Sequence, residues 1–160
     1  MLELALKKGG DIDYHLLIVT GDKYYEKAAE KIKSVSNPDI HIKRYIFDIE
    51  KYLGAADLVI SRSGALFMSE IAYLGKPSVL IPSPNVAENH QEFNADTFVK
   101  EGCSVKIKES ELTYEKLGQT VDALISDKNK LKEMADAALR CGIRDGDEAI
   151  LDVIDSVIHH

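Results

Sequence analysis

The stretch Asp57-Leu58-Val59-Ile60-Ser61-Arg62-Ser63-Gly64-Ala65-Leu66-Phe67-Met68-Ser69-Glu70-Ile71-Ala72 joins a continuously apolar run to an apolar helical pattern through a short polar turn. An unbroken run such as Leu58-Val59-Ile60 fits a strand buried on both faces, which is the habit of parallel strands covered by helices. Leu16-Leu17-Ile18-Val19 and Val79-Leu80-Ile81 repeat the pattern on either side. Helical patterns over residues 24–35, 49–56 and 65–74, with a further strand over 41–46, give the order β-α-β-α-β-α-β across residues 15–82. Helices over about 90–101, 114–126, 130–140 and 148–158 and a short strand over 104–108 complete the reading. At the front, Leu2 to Lys8 reads as the tail of an amphipathic helix closed by Gly9-Gly10, with no strand before it.

Strands alternating with helices in this way predict an α/β, Rossmann-like doubly wound parallel sheet. The 160 residues, 45% of them apolar, suffice for one core, so one domain over 1–160 is expected. No apolar run reaches the roughly 18 residues of a membrane span, and the first residues lack the order of a secretory signal, so a cytoplasmic chain is expected. Cys103 and Cys141 have no Cys or His at ligand spacing, which predicts two reduced thiols and no metal site. A net charge of −7 excludes non-specific nucleic-acid binding, which needs a basic face. It does not exclude small anions, because the free N–H groups of a helix N-terminus hold a phosphate whatever the net charge.

In a doubly wound sheet ligands bind beyond the carboxyl ends of the strands. Four such ends carry small or polar residues: Thr20-Gly21-Asp22, Phe47-Asp48, Ser61 to Ala65, and Ser83-Pro84-Asn85. Ser61 to Ala65 is the most legible, since it opens a helix directly. Gly64 permits close approach of a ligand to the backbone, and Ser63 is placed either to cap the helix or to bond a phosphate oxygen. An ordinary capped turn would contain the same residues. It is not a Walker loop, because the Gly-Lys-Ser/Thr ending is missing.

Glu70 is the only charge on the helix that follows. A carboxylate on so apolar a helix needs a counter-ion, solvent or a ligand hydroxyl. It lies roughly 9 Å along the axis from Gly64, within reach of a ribose whose phosphates sit at the turn. The alternative is an exposed Glu70, or one paired with Arg62. Asn89-His90-Gln91 and Asn94 cluster amide and imidazole groups suited to sugar hydroxyls, with His90 also able to cap a helix or stand in solvent. In Tyr45-Ile46-Phe47 the side chains are expected in the core, while the backbone offers N–H and C=O groups to the edge of a flat base. Asp145-Gly146-Asp147 lacks the further acidic ligands of a calcium loop and reads as a turn.

The string from Ala56 to Ala65, with Ser69-Glu70-Ile71-Ala72, Gly75-Lys76-Pro77 and His90-Gln91-Glu92-Phe93-Asn94-Ala95, resembles the MurG family. These bacterial transferases move N-acetylglucosamine from UDP-GlcNAc to undecaprenyl-pyrophosphoryl muramyl pentapeptide, converting lipid I to lipid II in peptidoglycan biosynthesis. The resemblance covers nearly the whole chain but only the family's C-terminal, donor-binding half. It implies the C-terminal half of a GT-B glycosyltransferase, with that half's first strand and Gly-Gly-Ser loop missing and residues 146–160 as a C-terminal helix.

The resemblance further implies a UDP-GlcNAc site in which Gly64, Ala65, Leu66 and Phe67 lie along the diphosphate and ribose, beside Ser63. Glu70 would hold the ribose hydroxyls, Ile46 the uracil through its backbone, and Gln91 the GlcNAc hydroxyls. His90 stands where the family commonly has another Gln, and Phe67 where a Thr is frequent. The implied chemistry is inverting and uses no metal or cofactor. The lipid-linked acceptor and the catalytic base would belong to a missing N-terminal domain, so no catalytic residue is expected in this fragment, and the full protein would be peripheral on the cytoplasmic face of the bacterial inner membrane. Two alternatives stand beside this reading: the donor domain of a related glycolipid glycosyltransferase, and a stand-alone UDP-sugar-binding partner subunit. An exposed sheet edge at the front would also allow self-association.

Overall fold

The computed structural model describes residues 2–8, 12–35, 37–84 and 89–142. In chain order the elements are α1 (Leu2–Lys8), β1 (Leu16–Val19), α2 (Asp22–Ile32), β2 (Ile40–Lys43), α3 (Ile49–Ala55), β3 (Val59–Ser61), α4 (Ala65–Tyr73), β4 (Ser78–Leu80), α5 (His90–Lys100), β5 (Ser104–Lys106), a 3₁₀ turn (Glu109–Glu111), α6 (Tyr114–Ser126) and α7 (Lys128–Cys141). Every strand pairing is parallel, as the unbroken apolar runs predict. Gly9-Gly10, Asn85, the turn at Asp145-Gly146-Asp147 and the expected helix over 146–160 lie outside the described residues.

The chain divides into two compact units. The first contains residues up to Ala55 and Ser110–Ser126. Its strands β1 and β2 pair from Leu16 opposite Ile40 to Val19 opposite Lys43. Leu16, Ile18 and Ile40 are buried with Ala5 of α1, and Tyr14, Ile32 and Ile42 pack around them. α1 also packs on α6. A Cβ on Gly118 would stand 2.9 Å from Leu4 Cδ1, so the bare backbone there is what lets Leu4 seat. Lys8 of α1 pairs with Asp122 of α6.

β2 ends earlier than expected, at Lys43 rather than residue 46. The chain bends at Arg44, whose carbonyl accepts the Gly21 N–H at 3.0 Å, while its guanidinium reaches Glu26 at 2.5 Å and lies over the Tyr25 ring. Past the bend the ladder no longer assigns faces. Tyr45 and Phe47 are therefore 65% and 91% exposed, stacked edge to face at 5.0 Å, which corrects the expectation that they fill the core.

The second unit holds Ala56–Glu109 and the chain from Asp127 onward. β4 is the central strand, with β3 and β5 on its two sides, and it is buried at every position. Ser78 and Ser104 face each other across β4 and β5, their hydroxyls 2.5 Å apart, so each satisfies the other in the core. α4 packs on α7, with Met68, Ile71, Ala72, Met134, Ala137 and Ala138 all buried. Asp127 caps α7 by accepting the Lys130 N–H at 2.9 Å.

Two helices of this unit stop by the same device. At the end of α4, the Gly75 N–H reaches Ala72 C=O and the Lys76 N–H reaches Ile71 C=O; at the end of α5, Gly102 and Cys103 do the same to Val99 and Phe98. This 5→2 and 6→1 pairing satisfies the last carbonyls and needs a left-handed residue, here Gly75 at φ 63° and Gly102 at φ 80°. Each turn then feeds the next strand, so the carboxyl ends of β3, β4 and β5 share one edge of the sheet.

Candidate functional site

β3 delivers the chain to that edge, and α4 starts after three intervening residues, with Gly64 as its N-cap at φ −70° and ψ 135°. No side chain caps the helix. The first intrahelical bond is Met68 N–H to Gly64 C=O at 3.0 Å, which leaves the N–H groups of Ala65, Leu66 and Phe67 without an acceptor among the described residues. A Cβ added to Gly64 would meet nothing within 4 Å. Neither backbone strain nor packing therefore requires glycine here, and the space before the helix start is open. Leu66 is 85% exposed at this opening.

Ser63 does something other than cap. It is fully buried, and its Oγ donates to the Gln91 carbonyl at 2.7 Å. Asn94 Nδ2 donates in return to the Ser63 carbonyl at 3.1 Å, and Gln91 Oε1 accepts the Ser83 N–H at 2.8 Å. The turn after β3, the segment after β4 and the first turn of α5 are thereby fastened together. His90 is exposed at the start of α5, next to a left-handed Asn89 at φ 53°.

The Arg62 guanidinium does not pair with Glu70. It forms a two-pronged ion pair with Glu109, one prong at 2.9 Å, and donates to the carbonyls of Ile81 and Pro82. The hydrogen bonds from Arg62 hold the Glu109 carboxyl below the ordinary carboxylate range. Glu70 is exposed and makes no ion pair among the described residues, which leaves its carboxylate available to a ligand. On the far side of α5, Lys106 of β5 pairs with Glu92 at 2.9 Å and with Asp96, anchoring the helix to the sheet.

Ile46 belongs to the first unit, in the bend between β2 and α3. It is half-buried, and among the described residues neither its N–H nor its C=O is hydrogen-bonded. The sequence therefore pointed to Ser63, Gly64, Ala65, Leu66, Phe67, Glu70, His90 and Gln91 on one unit and Ile46 on the other. It missed Glu109 and Lys106, and it named Ser83 as a polar residue at a strand's carboxyl end without its partner Gln91.

Cys103 and Cys141 are free thiols with their sulfurs 3.8 Å apart. Burial, and then the neighbouring Cys141, push the Cys103 thiol up to about 12. Among the described residues no group of His, Cys, Asp and Glu is arranged to hold a metal ion, and no helix is long and apolar enough to cross a membrane.

Residues 2–150 match the glycosyltransferase family 28 C-terminal domain. The chain is 40% identical over 156 residues to the UDP-N-acetylglucosamine–N-acetylmuramyl-(pentapeptide) pyrophosphoryl-undecaprenol N-acetylglucosamine transferase of Acetivibrio thermocellus, covering 98% of this chain and 42% of that protein. It is 39% identical over 155 residues to the transferase 1 of that name from Bacillus cereus, covering 96% and 43%. The chain thus spans about two fifths of the length of these relatives. Among solved structures, Acinetobacter baumannii MurG superposes with a TM-score of 0.81 at 27% identity, over 89% of this chain and 43% of that one. A kitacinnamycin glycosyltransferase shares the fold, with a TM-score of 0.72 at 20% identity over 96% of this chain and 38% of that one. With this architecture of parallel sheets, the chain belongs to the glycosyltransferase family 28 C-terminal domain family, in the α/β fold of GT-B glycosyltransferase C-terminal halves.

Proposed function

We propose that the chain is the donor-binding part of an inverting N-acetylglucosaminyltransferase that takes UDP-GlcNAc as donor and converts lipid I to lipid II in peptidoglycan synthesis. The observation that carries this reading is the start of α4, where three N–H groups without acceptors open onto free space at the carboxyl edge of a parallel sheet. The names of the relatives at 39–40% identity supply the sugar and the acceptor class.

On this reading Gly64, Ala65, Leu66 and Phe67 line the diphosphate, Glu70 accepts from the ribose hydroxyls, and His90 and Gln91 meet the sugar. As an acceptor hydroxyl attacks the anomeric carbon and UDP leaves, charge grows on the diphosphate, and a helix N-terminus stabilises that charge more strongly in the transition state than in the ground state. Residues 1–160 act as one UDP-sugar-binding domain. The lipid-linked acceptor and the base are assigned to the part of the relatives that this chain does not cover, and the whole enzyme to the cytoplasmic face of the inner membrane as a peripheral protein.

Calorimetric titration with UDP-GlcNAc, UDP-glucose and UDP tests the assignment. UDP-GlcNAc should bind most tightly, and Glu70→Ala should weaken all three by about tenfold, the loss of a charge-assisted hydrogen bond. Absence of binding by any of the three at millimolar ligand would end the assignment. Because Glu70 is exposed and unpaired within the described chain, its loss should move stability by less than about 0.5 kcal/mol.

A further inference from the structure

Ser63 sits beside the turn that opens α4, yet its hydroxyl is turned away from solvent and committed to another segment. A carbonyl in the first turn of a helix already accepts an intrahelical bond, so the second bond that Ser63 gives to Gln91 is a latch on one lone pair and contributes nothing to the helix itself. The latch is doubled by Asn94, which returns a bond to the Ser63 carbonyl.

Gln91 is also held by its side chain. A backbone N–H can only donate, so the amide atom facing Ser83 is the oxygen, and the Gln91 NH₂ is the group left over. Among the described residues that NH₂ has no acceptor. Main chain and side chain of one glutamine are thus pinned from two different strand ends, and what remains to it is a donor of fixed direction.

We propose that Ser63 is a positioning residue for Gln91. It sets the separation between the N–H groups at the start of α4 and the donor that reads the sugar, and it touches no part of the ligand. The inference rests on the donor-site reading above. It assigns the two ends of a nucleotide-sugar to one hydrogen-bonded body, with Gln91 selecting a sugar oxygen that can accept. Loss of the Ser63 hydroxyl would leave the helix start of α4 intact and loosen only the first turn of α5.

The test is calorimetry with UDP and UDP-GlcNAc on the wild type, Ser63→Ala, Gln91→Ala and the double variant. Ser63→Ala should keep its UDP affinity within about twofold while UDP-GlcNAc weakens by about five- to tenfold, the scale of one or two neutral hydrogen bonds. In the Gln91→Ala background, adding Ser63→Ala should change UDP-GlcNAc affinity by less than about twofold, because a residue that acts only through Gln91 has nothing left to position. Equal weakening of both ligands by Ser63→Ala, or independent effects that multiply in the double variant, would overturn the role of Ser63 while the donor site stood. If the wild type bound neither ligand, both proposals would fall together. Ser63→Cys, which fills nearly the same volume with a weaker donor, carries the same comparison should the alanine variant fail to fold; it should lose sugar affinity and keep UDP affinity.

Discussion

Gly75 lies at φ 63°, and a Cβ placed on it would come within 2.6 Å of Leu139 Cγ. Gly64 lies at φ −70° with nothing in front of it. The same residue type thus answers two different needs, one to the helix stop and one to the open turn. Gly75→Ala should destabilise the fold by about 1–3 kcal/mol in urea denaturation, from left-handed strain and displacement of Leu139. Gly64→Ala should cost less than about 1 kcal/mol, since only a modest capping preference is lost, yet its methyl group occupies the space before the free N–H groups. Its UDP affinity should fall by tenfold or more, a change of about 1.4 kcal/mol or more. Conserved binding in Gly64→Ala would remove the turn from the site.

At the scale of elements, the sheet edge carrying the site is tied by Arg62, which links the turn after β3 to the end of β4 and to Glu109 beyond β5. Glu109 has its proton affinity lowered by Arg62, so the pair contributes stability above the ordinary carboxylate range and loses it as pH falls through the depressed folded value. Both side chains are more than a third exposed, 48% and 40%, so solvent screening keeps the contribution below about 1 kcal/mol. Glu109→Gln should therefore be slightly less stable than the wild type near neutral pH, and the two should converge in strongly acidic buffer. A difference that persists unchanged at low pH would show that charge is not its source.

The strands of this edge are legible because burial on both faces writes continuous apolar runs, whereas the helix stops at Gly75 and Gly102 emerge from the backbone pairing of the folded unit. The end of β2 was less legible as well. Tyr45 and Phe47 look like strand residues by type, but the turn at Arg44 is held by Gly21, Glu26 and Tyr25, partners remote in sequence. The same holds within the site. Gly64 and Glu70 announce themselves locally, whereas Ser63 with Gln91 and Arg62 with Glu109 are side-chain choices that only the folded unit reveals.

For the whole molecule, four strands have a free side among the described residues: β1 and β2 pair only with each other, and β3 and β5 each pair only with β4. Unpaired edges of parallel sheets present rows of N–H and C=O groups to any strand that arrives. An exposed edge allows self-association, and if it occurs, sedimentation velocity over a concentration series should show a mass that rises with concentration. A single monomeric boundary throughout would count against it. The net charge of −7 opposes that association, so it should strengthen as salt is added.

The donor site is tested most directly by amide chemical-shift mapping, with UDP added first and UDP-GlcNAc second. The expected result is that UDP moves the N–H resonances of Ala65, Leu66 and Phe67, and that the sugar nucleotide adds shifts in the Gln91 side-chain amide. Saturable binding that leaves the resonances of Ala65 to Phe67 unmoved would contradict the assignment of the α4 turn to the diphosphate.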